Sequence, residues 1–131
     1  AVFAVRGPYS TSKALSSPAV RDVVNLHGKN ALDGLQHDPS VNNFLRYSRQ
    51  FAEGTGLFTP WITDIIELLD AHHSIGSMLM FGEGVFTLAP ADKAVEIEAE
   101  LRSYCERTDS RGNHKPVVFS AGINSSGGTL L

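Results

Sequence analysis

The chain has 131 residues, of which 42% are hydrophobic and 19% charged, the size and composition of one globular domain rather than of a disordered or collagen-like chain. A formal net charge of -3 with a pI near 5.9 supplies no broad cationic surface for a phosphate backbone, and no apolar run approaches the roughly 20 residues that cross a bilayer, so neither nucleic acid nor membrane is expected as a partner. The single Cys105 allows no internal disulfide, and a reducing, cytoplasmic setting is expected.

The chain opens on Ala1 rather than Met, which fits either a trimmed initiator or a piece of a longer chain. A first strand is expected over residues 1–6, where apolar residues run almost unbroken. Three dipeptides, Ser17-Pro18, Asp38-Pro39 and Thr59-Pro60, each place a good N-cap before a proline at the first helical position, where its missing N–H costs nothing. They predict helices over about 18–35, 39–54 and 60–71. The first carries Val20, Val24, His27, Ala31 and Leu35 at helical spacing, with Gly28 and Gly34 expected to bend or shorten it. The second turns Phe44, Tyr47 and Phe51 to one face, joined by Leu45 and Ser48, and Gly54 and Gly56 stop it. The third is so apolar, with Trp61, Ile62, Ile65, Ile66, Leu68 and Leu69, that it must be largely buried.

Strands follow over 77–81 and 85–88, with Gly82-Glu83-Gly84 between them read as the tight turn of a hairpin and Gly82 as its positive-φ residue. After Pro90 a fourth, amphipathic helix lines up Ala94, Ile97, Leu101 and Tyr104 against Asp92, Lys93, Glu96, Glu100 and Arg102, with Cys105 as filler on its apolar side. A strand over 116–121 and a short one over 129–131 complete the pattern. Strand, three helices, hairpin, helix, strand is the order of an α+β sandwich: an antiparallel sheet with helices packed on one face.

Two segments invite a binding role. Gly76-Ser77-Met78-Leu79-Met80-Phe81-Gly82-Glu83-Gly84-Val85-Phe86 holds small residues that let backbone approach a phosphate closely, although an ordinary glycine hairpin reads the same. No Walker loop is present, and the Gly-x-Gly leads into a strand rather than a helix, so no dinucleotide fingerprint is supported. In Gly7-Pro8-Tyr9-Ser10-Thr11-Ser12-Lys13 hydroxyls beside a lysine suit a carboxylate or phosphate, and equally a solvated turn. His72-His73 suggests imidazole at a helix C-terminus more than a metal site, for adjacent side chains diverge and no third ligand stands at a suitable spacing. His27, His37 and His114 are scattered, and the polar stretch 123–128 reads as a turn, with anion binding as the lesser option.

Together these pieces resemble the C-terminal domain of the GHMP-superfamily kinases. Gly76 to Phe86 lies where that superfamily has its third, glycine-rich motif, and its Ser77-Met78 and Gly82-Glu83 ahead of Val85-Phe86 are similar to the archaeal pantoate kinases. Ser48 to Glu53 with Gly56-Leu57 and Thr59-Pro60, and Gly7 to Thr11 with Leu15, extend the resemblance over about residues 2–131. It implies a ferredoxin-like plait and one C-terminal-type domain over 1–131, from an enzyme that uses ATP and Mg2+ to phosphorylate a hydroxyl of pantoate on the way to coenzyme A. The superfamily's phosphate loop and its acidic residues lie in an N-terminal domain with no counterpart here, so no catalytic residue is expected in this chain. It should be inactive alone and bind no nucleotide tightly. The resemblance assigns Gly76, Ser77, Met78, Gly82, Glu83 and Gly84 to a buttress of the nucleotide loop, Thr11 with Ser10 and Ser12 to the acceptor, and no residue to a metal. Its implied partners are the N-terminal kinase domain, in the same or a separate chain, and pantoate, with a homodimer left open. The competing reading is a stand-alone domain that binds a metabolite or a protein without chemistry.

Overall fold

A computed structural model describes residues 1–8, 15–80, 82–108 and 115–123. Four strands and four helices follow one another as β1 (Val2–Pro8), α1 (Pro18–His37), α2 (Val41–Gly54), α3 (Pro60–Ala71), β2 (Gly76–Met78), β3 (Gly82–Thr87), α4 (Ala91–Thr108) and β4 (Val117–Ser120). All pairings are antiparallel and the strand order is β2-β3-β1-β4. The fold is therefore α+β. This is the order of a ferredoxin-like plait in which three helices occupy the first crossover. The expected strand at 129–131 lies outside the described residues.

Alternation along the strands decides which face closes. Val2, Ala4, Val85, Thr87 and Val118 share the inner face and are buried. There Val2, Ala4, Val85 and Val118 join Trp61, Ile62, Ile65, Ile66 and Leu69 of α3 and Ala94, Ile97, Leu101 and Cys105 of α4 in one hydrophobic cluster. The apolar stripes read for these two helices are the stripes they bury. Tyr104, beside that stripe, donates its hydroxyl to Asp64 Oδ2 at 2.8 Å. Burial, and then the neighbouring carboxylate, push its phenol up to about 12.

Helix starts follow the proline signals with one shift. Thr59 caps α3, its hydroxyl accepting from Ile62 N–H at 3.3 Å. Ser17 precedes α1 without a side-chain cap bond. At the second helix the cap is Ser40, whose hydroxyl accepts from Asn43 N–H, rather than Asp38. The Asp38 carboxylate instead accepts from Asn43 Nδ2 at 2.7 Å, so the helix begins two residues later than its proline suggests. At the other end Gly56 takes the left-handed conformation, φ 67°, and its N–H reaches Glu53 O. A side chain there would be strained, which explains the stop.

Gly28 and Gly34 do not shorten α1, which runs to His37. They let α2 come close: a Cβ at Gly34 would collide with the Tyr47 ring, and one at Gly28 would touch Phe51 at 3.5 Å. The stripe Val20, Val24, His27, Ala31 and Leu35 is only half-buried, because α1 packs chiefly on α2 and no residue in it is fully buried. α2 runs beside the outer strand β2. Its Ala52 enters the inner cluster, while Phe44 reaches round to the other face of the sheet and meets Phe86 at 6.1 Å between ring centroids.

Candidate functional site

The hairpin turn does not fall at Gly82-Glu83-Gly84. The chain reverses between Leu79 and Gly82, where Gly82 N–H donates to Leu79 O at 3.1 Å and Leu79 N–H donates to Gly84 O at 2.8 Å. Gly82, Glu83 and Gly84 already belong to β3 and pair with Pro8, Gly7 and Val5 of β1. Nor does Gly82 require a positive φ. Gly56 is the one glycine with that backbone among the described residues, and the nearest atom to a Cβ at Gly82 would be Leu79 O at 3.9 Å. The glycine that matters is Gly84: a Cβ there would stand 2.9 Å from Leu79 Cδ1 and 3.1 Å from Ala4 O.

The rest of the motif serves the interior. Gly76 lies under Leu69, so a side chain on it would collide with that leucine. Met78 is in the core cluster. Ser77 is buried on the opposite face, its Oγ without a hydrogen-bond partner among the described residues. The carbonyl of Gly76 accepts from Arg49 Nε at 2.7 Å, and the same guanidinium pairs with Asp70 at 2.8 Å. Arg49 thus ties α2, β2 and α3 together, a role hidden in the sequence because a lone arginine on a polar helix face carries no pattern.

Glu83 is the functional candidate whose surroundings are richest. It accepts from the Thr59 hydroxyl at 2.8 Å and faces Arg6 Nη1 at 3.6 Å, and the Arg6 guanidinium lies 6.0 Å over the Trp61 ring. The arginine is about a third exposed, whereas Trp61 is buried and its Nε1 meets no acceptor among the described residues. A cation, a carboxylate and a hydroxyl therefore converge near the end of β1, beside the buried Trp61 ring, a combination that can orient a small polar molecule. Thr59 doubles as helix cap and Glu83 partner. Arg6 and Trp61 gave no signal of this in the sequence, where they read as the end of a strand and a core aromatic.

The register Pro8↔Gly82 and Gly7↔Glu83 joins the two segments singled out in the sequence, which are more than seventy residues apart. Ser10, Thr11 and Ser12 themselves lie outside the described residues, as does the 124–128 stretch. His72 closes α3, its backbone N–H bonded to Leu68 and Leu69 carbonyls and its Nδ1 3.7 Å from Glu96 Oε1, and His73 takes φ 53°. Both belong to a helix end, as expected. Among the described residues no three His, Cys, Asp or Glu side chains stand together so as to hold a metal ion, and no helix is long and apolar enough to cross a membrane.

No protein-family model matches the chain. A pantoate kinase of Thermococcus kodakarensis is 30% identical over 99 residues, which cover 72% of this chain and 33% of that protein. A solved structure described as a phosphotransferase related to the CoA biosynthesis pathway matches with a TM-score of 0.65 and 25% identity, covering 89% of this chain and 36% of its own. The chain thus spans about a third of the length of each.

Proposed function

We propose that this chain, which resembles the pantoate kinases of the GHMP superfamily over about a third of their length, is the acceptor-side half of an ATP-dependent kinase that phosphorylates pantoate in coenzyme A biosynthesis. The observation that carries the reading is the pairing of Gly7-Pro8 with Gly82-Glu83. It makes one neighbourhood of the glycine-rich segment and the strand exit that leads to Ser10, Thr11 and Ser12. In this neighbourhood Arg6 offers a guanidinium to a carboxylate such as pantoate carries, Glu83 holds that guanidinium in place, and the Trp61 ring lies against it. Thr11, with Ser10 and Ser12, would hydrogen-bond the acceptor's oxygens.

The described residues do not fit ATP and Mg2+. No acidic cluster converges, the glycine-rich segment runs from strand to strand instead of opening a helix, and each helix starts after Ser, Thr or Pro rather than after a glycine loop. Nucleotide and metal are therefore assigned to the other half, in the same chain or a separate one, and no step is drawn through them here. This half contributes orientation: phosphoryl transfer depends on positioning the attacking oxygen in line, and most of that gain is entropy removed in advance.

The test replaces the matching third of the Thermococcus kodakarensis pantoate kinase with this chain. The chimera should form phosphopantoate from pantoate and ATP, whereas the 131-residue chain alone should not. In the chimera Thr11→Ala should lower kcat/KM for pantoate about tenfold to a hundredfold, the loss of one hydrogen bond to a charged group, at unchanged melting temperature. ATP-dependent phosphopantoate formation by the isolated chain would falsify the assignment of catalysis to the other half. A folded chimera without activity would favour a metabolite-binding or interaction domain.

A further inference from the structure

The outer face of the sheet carries a row that crosses all four strands: Ser77 of β2, Phe86 of β3, Phe3 of β1 and Phe119 of β4. The strand residues flanking that row on the same face are Gly84, Val5 and Val117, so no charged strand residue interrupts it. At the β2 end α2 covers the row: Ser77 is buried and Phe44 meets Phe86. At the β4 end nothing described covers it. Phe3 stacks on Phe119 at 5.0 Å, yet Phe119 is 42% exposed and Val117 59%. A sheet face that is aromatic, free of charged strand residues and, among the described residues, closed at one end alone is what a docking surface looks like in the absence of its partner.

We infer that this half-open face, centred on Phe3, Phe119 and Val117, is the surface on which the nucleotide-binding half of the kinase packs. The inference rests on the reading under Proposed function and adds to it the place of contact. Two observations select that partner. In both relatives about two thirds of the polypeptide lies outside the part that matches this chain, a length of chain sufficient to form a body that covers such a face. At its covered end the same face carries Ser77 and Gly84 of the glycine-rich segment, so the open patch shares one sheet face with the motif that the kinase reading turns toward the nucleotide half.

The test exploits the exposure of these side chains. Val117→Lys and Phe119→Lys are made both in the isolated 131-residue chain and in the Thermococcus kodakarensis chimera, with Leu26→Lys on the exposed side of α1 as control. In the isolated chain Val117→Lys should leave the melting temperature unchanged, since the residue already faces water. In the chimera both sheet variants should lower it by at least about 3 °C, where a domain-sized contact is disturbed, and reduce phosphopantoate formation at least tenfold. Leu26→Lys should do neither. Equal melting of wild-type and sheet-variant chimeras, with activity retained, would overturn the surface while leaving the kinase reading intact. Sedimentation of the isolated chain as a dimer that Val117→Lys dissociates would overturn it in favour of a second copy. An unsubstituted chimera that folds and makes no phosphopantoate overturns the kinase reading, and this inference with it.

Discussion

The inner and outer faces of the sheet are made by the same four strands and differ in almost everything else. Inward, Val2, Ala4, Val85 and Thr87 are at most 1% exposed and lie beneath two helices. Outward, three phenylalanines and two valines stand in the same strands, covered by α2 at one end and, among the described residues, open at the other. Strand alternation sorts side chains between faces but is silent about what each face meets. A face can be apolar because the domain closes over it or because another body does.

The largest effect should separate the two faces directly. Ile65 is wholly buried between α3 and the sheet, and Ile65→Ala should cost about 2–5 kcal/mol in chemical denaturation of the isolated chain. Phe119→Ser, on the open face, forfeits the stack on Phe3 and little else, about 0.5–1.5 kcal/mol. If the two losses were equal, the outer face would be closed within this chain and the distinction would fail.

Between these extremes lies the glycine pair of β3. Gly84→Val must push Leu79 and the Ala4 carbonyl aside and should cost about 1–3 kcal/mol. Gly82→Val, two residues earlier in the same strand, meets nothing closer than 3.9 Å and should leave the melting temperature unchanged. A large loss from Gly82→Val would mean that the turn does sit at Gly82-Glu83-Gly84. The smallest effect belongs to Tyr104, whose folded phenol titrates at about 12 against an ordinary value of 10. Because the native state holds the proton more tightly, this contribution is complete below pH 10 and disappears as pH rises through 12. Thermal melts of wild type and Tyr104→Phe should differ slightly at pH 9 and converge above pH 12.

Much of the architecture was legible because periodicity and punctuation agreed. The proline signals gave three helices, and the stripes of α3 and α4 foretold the core, since a helix that apolar has to be covered. The failures were local. The Gly-x-Gly looked like a turn, but its glycines serve a close approach between paired strands, and sequence does not distinguish room for a bend from room for a neighbour. Asp38-Pro39 looked like a cap, but Ser40 reaches the helix amides first. The polar cluster was the least legible part. Arg6, Thr59, Trp61 and Glu83 come from three elements, and only the register of β1 against β3 and the packing of α3 bring them together.

Both outer strands of the sheet have a carbonyl engaged by an arginine from a neighbouring helix. Arg49 donates to Gly76 O on β2, and Arg102 donates to Val118 O on β4 at 2.9 Å while also pairing with Glu98. An outer strand with bare amides and carbonyls is a template on which a foreign strand can crystallise into continuous sheet. Here a bulky, charged group already holds a carbonyl of that template on either side, so a fifth strand would first have to evict a guanidinium. Among the described residues the sheet is guarded at both margins, which opposes growth into ribbons or fibrils while leaving its broad aromatic face untouched.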